Sequence, residues 1–331
     1  MKHARLALAR SAEVLPALEG LTCVLGQLSP DRLSGLNIAD LRCESASFTQ
    51  TSTLKASGFQ TGDLNDAHYD NAIVLLPRAK AEALHLIARA VSLAPNGWII
   101  VDGQKTDGIE SIAKQITREL EIGGSYSKGH GKTIWFQANR AQGLAKWLAQ
   151  PSTLESGFKT APGVFSADGI DPASELLLQN LPLDLVGTVC DLGAGWGYLS
   201  AELLSRSPKI TNLHLVEDNQ IALYCAKENV TDARASFHWA DALNWAAPES
   251  ISAIIMNPPF HQGRNATPEL GIAFIKSAAR LLKPGGELFM VANSHLPYEN
   301  TLEECFAKSE LLARTNRFKV YKAERTRGKL R

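Results

Sequence analysis

"TVCDLGAGWGYLSAELLS", Thr188–Ser205, changes character twice. Thr188 to Leu192 is apolar and partly β-branched, the composition of a strand packed on both faces. Gly193, Ala194 and Gly195 then demand a tight turn, because glycine reaches backbone conformations and close approaches that other residues resist. Beyond them Leu199, Leu203 and Leu204 recur at helical spacing. Strand, glycine turn and helix follow one another without a spare residue. The pattern repeats outward. "NLHLVED" (Asn212–Asp218) is a second strand and "NQIALYCAKENV" a helix; "ASFHWAD" (Ala235–Asp241) and "ISAIIMNPP" (Ile251–Pro259) are strands three and four. "GIAFIKSAARLL" is a helix stopped by "KPGG", "ELFMVAN" is strand five, and "ELLARTNRFKVYKAER" folds back as a closing hairpin around Asn316 and Arg317. Strands alternating with helices predict an α/β fold, a mostly parallel sheet covered on both faces.

The first half carries a fainter copy. "NAIVLLPRAKAEALHLIARAVSLAPNGWIIVDG" (Asn71–Gly103) lies over Ser252–Asn293, and "GKTIWFQAN" (Gly131–Asn139) over Arg317–Arg325. A doubled domain is the reading. The copy lacks the glycine turn, and it has "LPRA" where the second half has "NPPF". The expected division is a first domain over 1–140, a linker over 141–161 and a second domain over 162–331.

Composition excludes more than it identifies. The chain has 331 residues, 45% hydrophobic and 21% charged, with a formal net charge of zero. That length suits two domains. No overall basic field announces a nucleic acid, so such a partner must meet a local patch. The five cysteines are scattered with no zinc-like spacing, which predicts no metal and a reducing cytoplasm. Arg10 and Glu13 interrupt the first apolar run too early for a signal peptide, so an amphipathic helix is expected there. No apolar run approaches a membrane span.

The glycine turn alone also fits a dinucleotide site, but Gly197 comes one residue early and Tyr198 fills the third glycine's place. S-adenosylmethionine puts no phosphate at such a turn; it needs room for its methionine portion and an acceptor for its amine, which Asp191 offers. Glu217 ends strand two, where a ribose presents two hydroxyls, and Asp218 is its less certain neighbour. After strand three, Asp241 beside Ala242 supplies an acceptor and a small apolar contact for adenine. Each acid alone reads as a solvated strand end or a cap. Three after consecutive strands point at one crevice.

Strand four runs into Asn257, Pro258, Pro259 and Phe260. Proline ends the strand and holds the residue before it extended. An exocyclic amine on an aromatic ring is a poor nucleophile, because its lone pair is delocalised. Two acceptors on its hydrogens, the Asn257 amide oxygen and the Pro258 carbonyl, draw the nitrogen towards tetrahedral geometry and free that pair. Phe260 gives the base a face to stack on. Positioning and electrostatics would carry such a transfer.

"DLGAGWG", "NPPF" and "KPGGELFMVAN" together resemble class I S-adenosylmethionine-dependent methyltransferases of the small-domain N-methyltransferase type. "PGVFSADGIDPASELLL" (Pro162–Leu178), "NPPFHQG", "VANSHLPYENTLEECF" and "RFKVYKA" narrow this to a likeness with the bacterial 16S ribosomal RNA guanine-N2 methyltransferases. The resemblance implies two tandem Rossmann-like domains, the first degenerate and assisting folding and RNA binding. It implies S-adenosylmethionine bound by Asp191, Gly193, Gly195, Glu217 and Asp241, and an amine positioned by Asn257, Pro258 and Phe260. Phe165, Ser166 and Asp171 match an upstream loop that closes over the site; His261 is a surface or a catalytic histidine. The expected partner is ribosomal RNA of the small subunit, and the expected state a monomer. The tryptophans of "ARASFHWADALNWAAPES" fit no part of this pattern.

Other readings stay open at this point: a 23S ribosomal RNA guanine-N2 enzyme, an adenine N6 or protein-glutamine methyltransferase, an NAD(P)-binding oxidoreductase, or a non-catalytic RNA-binding module. The tail from Arg314 to Arg331 is densely basic with Phe318 and Tyr321 interleaved. It is either a solvated hairpin edge or a phosphate-binding patch.

Overall fold

A computed structural model describes residues 5–64, 68–259, 261–262, 265–266 and 268–326. The chain forms two compact units: residues up to Pro151 with Ala161–Gly163, and Ser152–Thr160 with the chain from Val164 onward.

The first unit runs α1 (Arg5–Ser11), β1 (Thr22–Gly26), β2 (Leu41–Glu44), α2 (Phe48–Ala56), β3 (Gln60–Thr61), β4 (Asn71–Leu75), α3 (Lys80–Leu93), β5 (Trp98–Gln104), α4 (Ile109–Glu119), β6 (Gly124–Lys128) and β7 (Gly131–Gln137). Its sheet has the order β3-β2-β1-β4-β5-β7-β6. Successive residues of β1 enter opposite faces: Cys23 and Leu25 join α3 and α4, while Val24 joins α1 and α2. This is why the central strands are continuously apolar and not alternating.

The second unit opens with the hairpin β8 (Ser152–Thr153) and β9 (Lys159–Thr160). It continues α5 (Pro172–Gln179), β10 (Gly187–Leu192), α6 (Tyr198–Arg206), β11 (Ile210–Glu217), α7 (Gln220–Asn229), β12 (Ala235–Trp239), β13 (Ile251–Met256), the small hairpin β14 (His261–Gln262) and β15 (Asn265–Ala266), α8 (Pro268–Leu281), β16 (Leu282–Asn293), α9 (Glu299–Cys305), β17 (Lys308–Arg314) and β18 (Phe318–Glu324). Its large sheet is ordered β12-β11-β10-β13-β16-β18-β17. Numbered within each unit, both large sheets read third, second, first, fourth, fifth, seventh, sixth, parallel except for the last two strands. The expected doubling of the fold is there. The core again has two layers, with α5, α6 and α7 on one face and α8 and α9 on the other.

The segment 141–161 is not a free tether. Ala141 and Leu144 are buried in the first core with Trp147 packed against it, because their apolar side chains extend the α3–α4 layer. Residues 152–160 form a hairpin fixed to α7, where Lys159 N–H donates to Asn229 Oδ1 at 2.7 Å and Asn229 Nδ2 returns a bond to the Lys159 carbonyl at 2.8 Å. Among the described residues no helix is long and apolar enough to cross a membrane.

Candidate active site

The chain leaves β10 for β11 and β12 on one side, then returns to β13 on the other. Between β10 and β13 the connections diverge, and the crevice outside the carboxyl ends of such strands is where open α/β sheets bind ligands. One cavity there is lined by Phe165, Ser166, Asp171, Gly193, Gly195 and Asn257, together with Trp196 and Ser174. Three separate stretches of sequence thus meet: the upstream loop, the glycine turn and the end of β13.

The turn is held from below. Gly193 N–H and Ala194 N–H both donate to the Val216 carbonyl, at 2.8 and 3.1 Å. Gly195 N–H donates to Glu217 Oε2 at 2.8 Å, and Glu217 Oε1 accepts from Asn219 N–H at 2.8 Å. Gly195 has φ +55°, and a Cβ placed on it would meet no atom within 4 Å. Open space, not crowding, lies where its side chain would be. Burial raises the Glu217 pKa, partly offset by these backbone donors. Glu217 therefore shapes the turn, with its remaining lone pairs free for a ligand.

Asp191 is fully buried. Its Oδ2 accepts from Ser200 Oγ at 2.7 Å, while Oδ1 has no hydrogen-bond partner. Burial pushes its carboxyl up to about 7, with the Ser200 bond opposing and the Glu217 charge adding to the rise. Asp241 does what a strand-end acid commonly does, accepting from Leu243 N–H at 2.9 Å and from Asn244 Nδ2 at 2.6 Å. Ala242 is buried beside it. Of the expected cofactor residues only Gly193 and Gly195 line the cavity around Asn257; Asp191, Glu217, Asp218, Asp241 and Ala242 do not.

Asn257 is the most constrained group in the crevice. Its Nδ2 donates to Asp171 Oδ2 and Ser174 Oγ, both at 2.8 Å. An ionised carboxylate only accepts, so the amide nitrogen must face Asp171, which fixes the orientation of the whole group. Oδ1 then points away, buried and, among the described residues, without a partner. A buried acceptor left unmade is costly, so such an atom is a candidate contact for a ligand. Asp171 also caps α5, accepting from Ser174 N–H at 2.8 Å. Pro258 is buried and Pro259 exposed. Phe260 lies outside the described residues, as does the side chain of His261.

The upstream loop contributes Phe165 and Ser166 to the cavity wall. Phe165 is 60% exposed, and its carbonyl accepts from Trp196 Nε1 at 3.0 Å. Ser166 takes φ +51°, unusual for a residue with a Cβ, and its hydroxyl donates to the Gly169 carbonyl at 2.8 Å. Trp196, Tyr198 and Phe158 form an aromatic cluster with ring centroids 5.3 to 5.9 Å apart.

Sequence reading missed Ser174, Ser200 and Trp196. Ser174 had a signal, since Asp171 and Ser174 sit three apart at a helix start and so share a face. Ser200 had none. The stray tryptophans are structural: Trp239 Nε1 donates to the Asp218 carbonyl at 2.7 Å, and Trp245 packs on His214 and His238. In the basic tail, Tyr321 is buried and cannot serve as a stacking face, and residues 327–331 lie outside the described ones.

Comparison with known proteins agrees with this geometry. Residues 155–322 match the Methyltransferase small domain family and residues 24–148 the Methyltransferase small domain N-terminal family. The chain is 33% identical to "Ribosomal RNA small subunit methyltransferase C" of Salmonella paratyphi B over 275 residues, 81% of this chain and 79% of that one. It is 34% identical to the protein of the same name from Hahella chejuensis over 274 residues, 78% of this chain and 79% of the other. A solved T. thermophilus 16S rRNA N2 methyltransferase, in complex with AdoMet and guanosine, aligns with TM-score 0.78 and 25% identity, covering 98% of this chain and 91% of that one. The chain is thus a methyl-transferring enzyme, and it belongs to the methyltransferase small domain family.

Proposed function

We propose that the second unit binds S-adenosylmethionine and methylates the exocyclic N2 amine of a guanine in 16S ribosomal RNA. The observation that carries this reading is the Asn257 amide, whose nitrogen is committed to Asp171 and Ser174 while its buried oxygen has no partner. That oxygen fits one hydrogen of a planar amine, and the names and bound ligands of the relatives above supply the substrate class.

When bound, S-adenosylmethionine supplies an electrophilic methyl group on its sulfonium sulfur. Gly193 and Gly195 leave room for its methionine portion, Asp191 offers its unpartnered oxygen to the amine, and Glu217 with Asp218 offers acceptors to the ribose. Asp241 and Ala242 stand at the end of β12 for the adenine. On the substrate side, Asn257 Oδ1 and the Pro258 carbonyl accept the two hydrogens of the target amine. Because asparagine is neutral it orients those hydrogens without removing them, and the spare proton leaves only as the nitrogen becomes cationic. Phe260 stacks on the extruded base. Phe165, exposed at the rim, and Ser166 close over it, with His261 behind the amine motif.

The first unit, over 1–140 with the packed extension that follows, supports folding and holds RNA. The enzyme acts as a cytoplasmic monomer. Two measurements test the reading together: calorimetry, expected to give one S-adenosylmethionine per chain, and mass spectrometry of rRNA nucleosides from a strain lacking the gene. An unchanged N2-methylguanosine content in 16S RNA overturns the substrate, and two cofactor sites or a preference for NAD overturns the site.

A further inference from the structure

A second groove lies next to the crevice. One wall is α5, through Pro172, Glu175 and Gln179; the other is the β17–β18 turn, through Asn316, Arg317 and Phe318. The α5 wall starts immediately after Asp171, the residue bonded to Asn257. The turn stands at the same edge of the sheet, because Phe318 pairs with Asn293 at the carboxyl end of β16. The groove therefore leads away from the amine-binding oxygen.

The turn is stiff. Thr315 Oγ1 accepts from Phe318 N–H at 2.9 Å and Arg317 N–H at 3.2 Å, and Ser294 ties the turn down through the Arg317 carbonyl at 2.8 Å and the Thr315 carbonyl at 3.0 Å. The guanidinium of Arg317 lies 5.0 Å from the Phe318 ring centroid, flat aromatic support beneath a flat cation. Charge separates this residue from the two lysines of β18. Lys319 is neutralised by Glu299 at 2.5 Å and Lys322 by Glu287 at 2.7 Å. Among the described residues no carboxylate pairs with Arg317.

We propose that this groove holds the nucleotide adjoining the target guanine in a single-stranded stretch of RNA. The inference rests on the reading of the chain as an RNA N-methyltransferase. Arg317 takes the phosphate of that nucleotide, its guanidinium backed by the Phe318 ring. Glu175 and Gln179 on the opposite wall repel or ignore phosphate and instead accept from base amino groups. The two walls thus dictate an orientation, with base edge towards α5 and backbone towards the turn. Flanking sequence is read at this groove, and the amine at Asn257.

The test uses the full chain and a 16S-derived RNA oligonucleotide with an unpaired target guanine. Arg317→Ala is expected to raise KM for RNA about tenfold, the scale of losing one charge-assisted hydrogen bond, with a much smaller effect on kcat. It should also reduce the slope of log affinity against log salt by about 0.7, one phosphate contact on a single strand. Arg317→Lys should keep the salt slope and lose part of the affinity, which separates a shaped contact from bare charge. Arg317 is exposed in a turn, so an unchanged melting temperature accompanies both variants. Unaltered KM and salt slope in Arg317→Ala, with the parent active, overturn the groove alone. A parent that binds S-adenosylmethionine but never binds or methylates RNA overturns the groove and the substrate reading together. Loss of affinity for a protein ligand in place of RNA would assign the groove to a protein partner and also overturn it.

Discussion

The two units share one strand order and differ at the strand tips. By sheet register, Leu25 in β1 occupies the place of Asp191 in β10: Leu25 faces Val74 of β4, and Asp191 faces Ile255 of β13. Counting back two residues from the helix caps Ser47 and Asn219, Ser45 stands where Glu217 stands. Leu76 follows β4 as Asn257 follows β13. Leu25 and Leu76 are both buried in the first unit's main core, each contributing about 2 kcal/mol of burial. In the second unit the same two positions hold polar groups with an unpartnered oxygen apiece. The fold demands only apolar strands and their order. The proposed chemistry falls at positions where the second unit forgoes apolar packing, and at those positions the first unit holds what stability alone prefers.

The strongest way to break this comparison is to write the first unit's residue into the second. Asn257→Leu should cut methyl transfer by at least about a hundredfold, the scale of losing one positioned polar partner. S-adenosylmethionine affinity should stay near the parent's, and stability should change by no more than about 1–2 kcal/mol, because removal of the unmade acceptor offsets loss of the two bonds to Asp171 and Ser174. Turnover like the parent's under saturating RNA would remove Asn257 from the mechanism.

Gly195→Val probes the turn that the first unit lacks. A Cβ there meets no atom within 4 Å, and Gly195 lines the crevice, so the added bulk is expected to enter the ligand's space. S-adenosylmethionine binding should weaken at least about tenfold, while a left-handed φ on a β-branched residue costs only about 1–2 kcal/mol of stability. Calorimetry and thermal melting separate the two; unchanged affinity would place the ligand elsewhere.

Asp171→Asn sharpens the contrast with Leu76, which needs no orienting partner. Asparagine still caps α5, so stability should change by only a few tenths of a kcal/mol. Its amide, however, can present either an acceptor or a donor to Asn257, and the single orientation is lost. We expect kcat to fall about tenfold with KM and cofactor affinity within about twofold; an equal loss in all three would make Asp171 merely structural.

The fold was legible because strands buried on both faces leave continuous apolar runs, and because glycine and proline punctuate them. "TVCDL" became β10 to within a residue, and the strand read over Ile251–Pro259 became β13, which starts at Ile251 and ends at Met256, just before Asn257 and the prolines. The site was legible only where chemistry requires an odd residue type, as at Gly195 and Asn257. What stayed hidden was pairing across the chain. Asp171 and Asn257 are 86 residues apart, and nothing local in either stretch announces their bond. Also hidden were the local roles of Glu217 and Asp241: each spends oxygens on nearby backbone N–H groups, a role any strand-end acid can take. The linker misled for a similar reason, since polar and small residues between domains read as loop even when Leu144 is buried.

The smallest effect concerns Asp191, whose counterpart Leu25 cannot titrate. Burial lifts the Asp191 carboxyl from 3.8 to about 7. Between those values the folded chain holds a proton that the unfolded chain has released, so stability declines as pH rises from about 4 to about 7 and is level above. Asp191→Asn should flatten that slope in urea titrations across the window. Ligand binding runs the other way. A protonated carboxyl cannot pair with an ammonium group, so S-adenosylmethionine affinity should improve severalfold between pH 6 and pH 7.5, as the carboxylate becomes available. The same variant should bind weakly with no such rise. If parent and variant share one pH profile, Asp191 does not hold the cofactor's amine, and its unpartnered oxygen belongs to the turn alone.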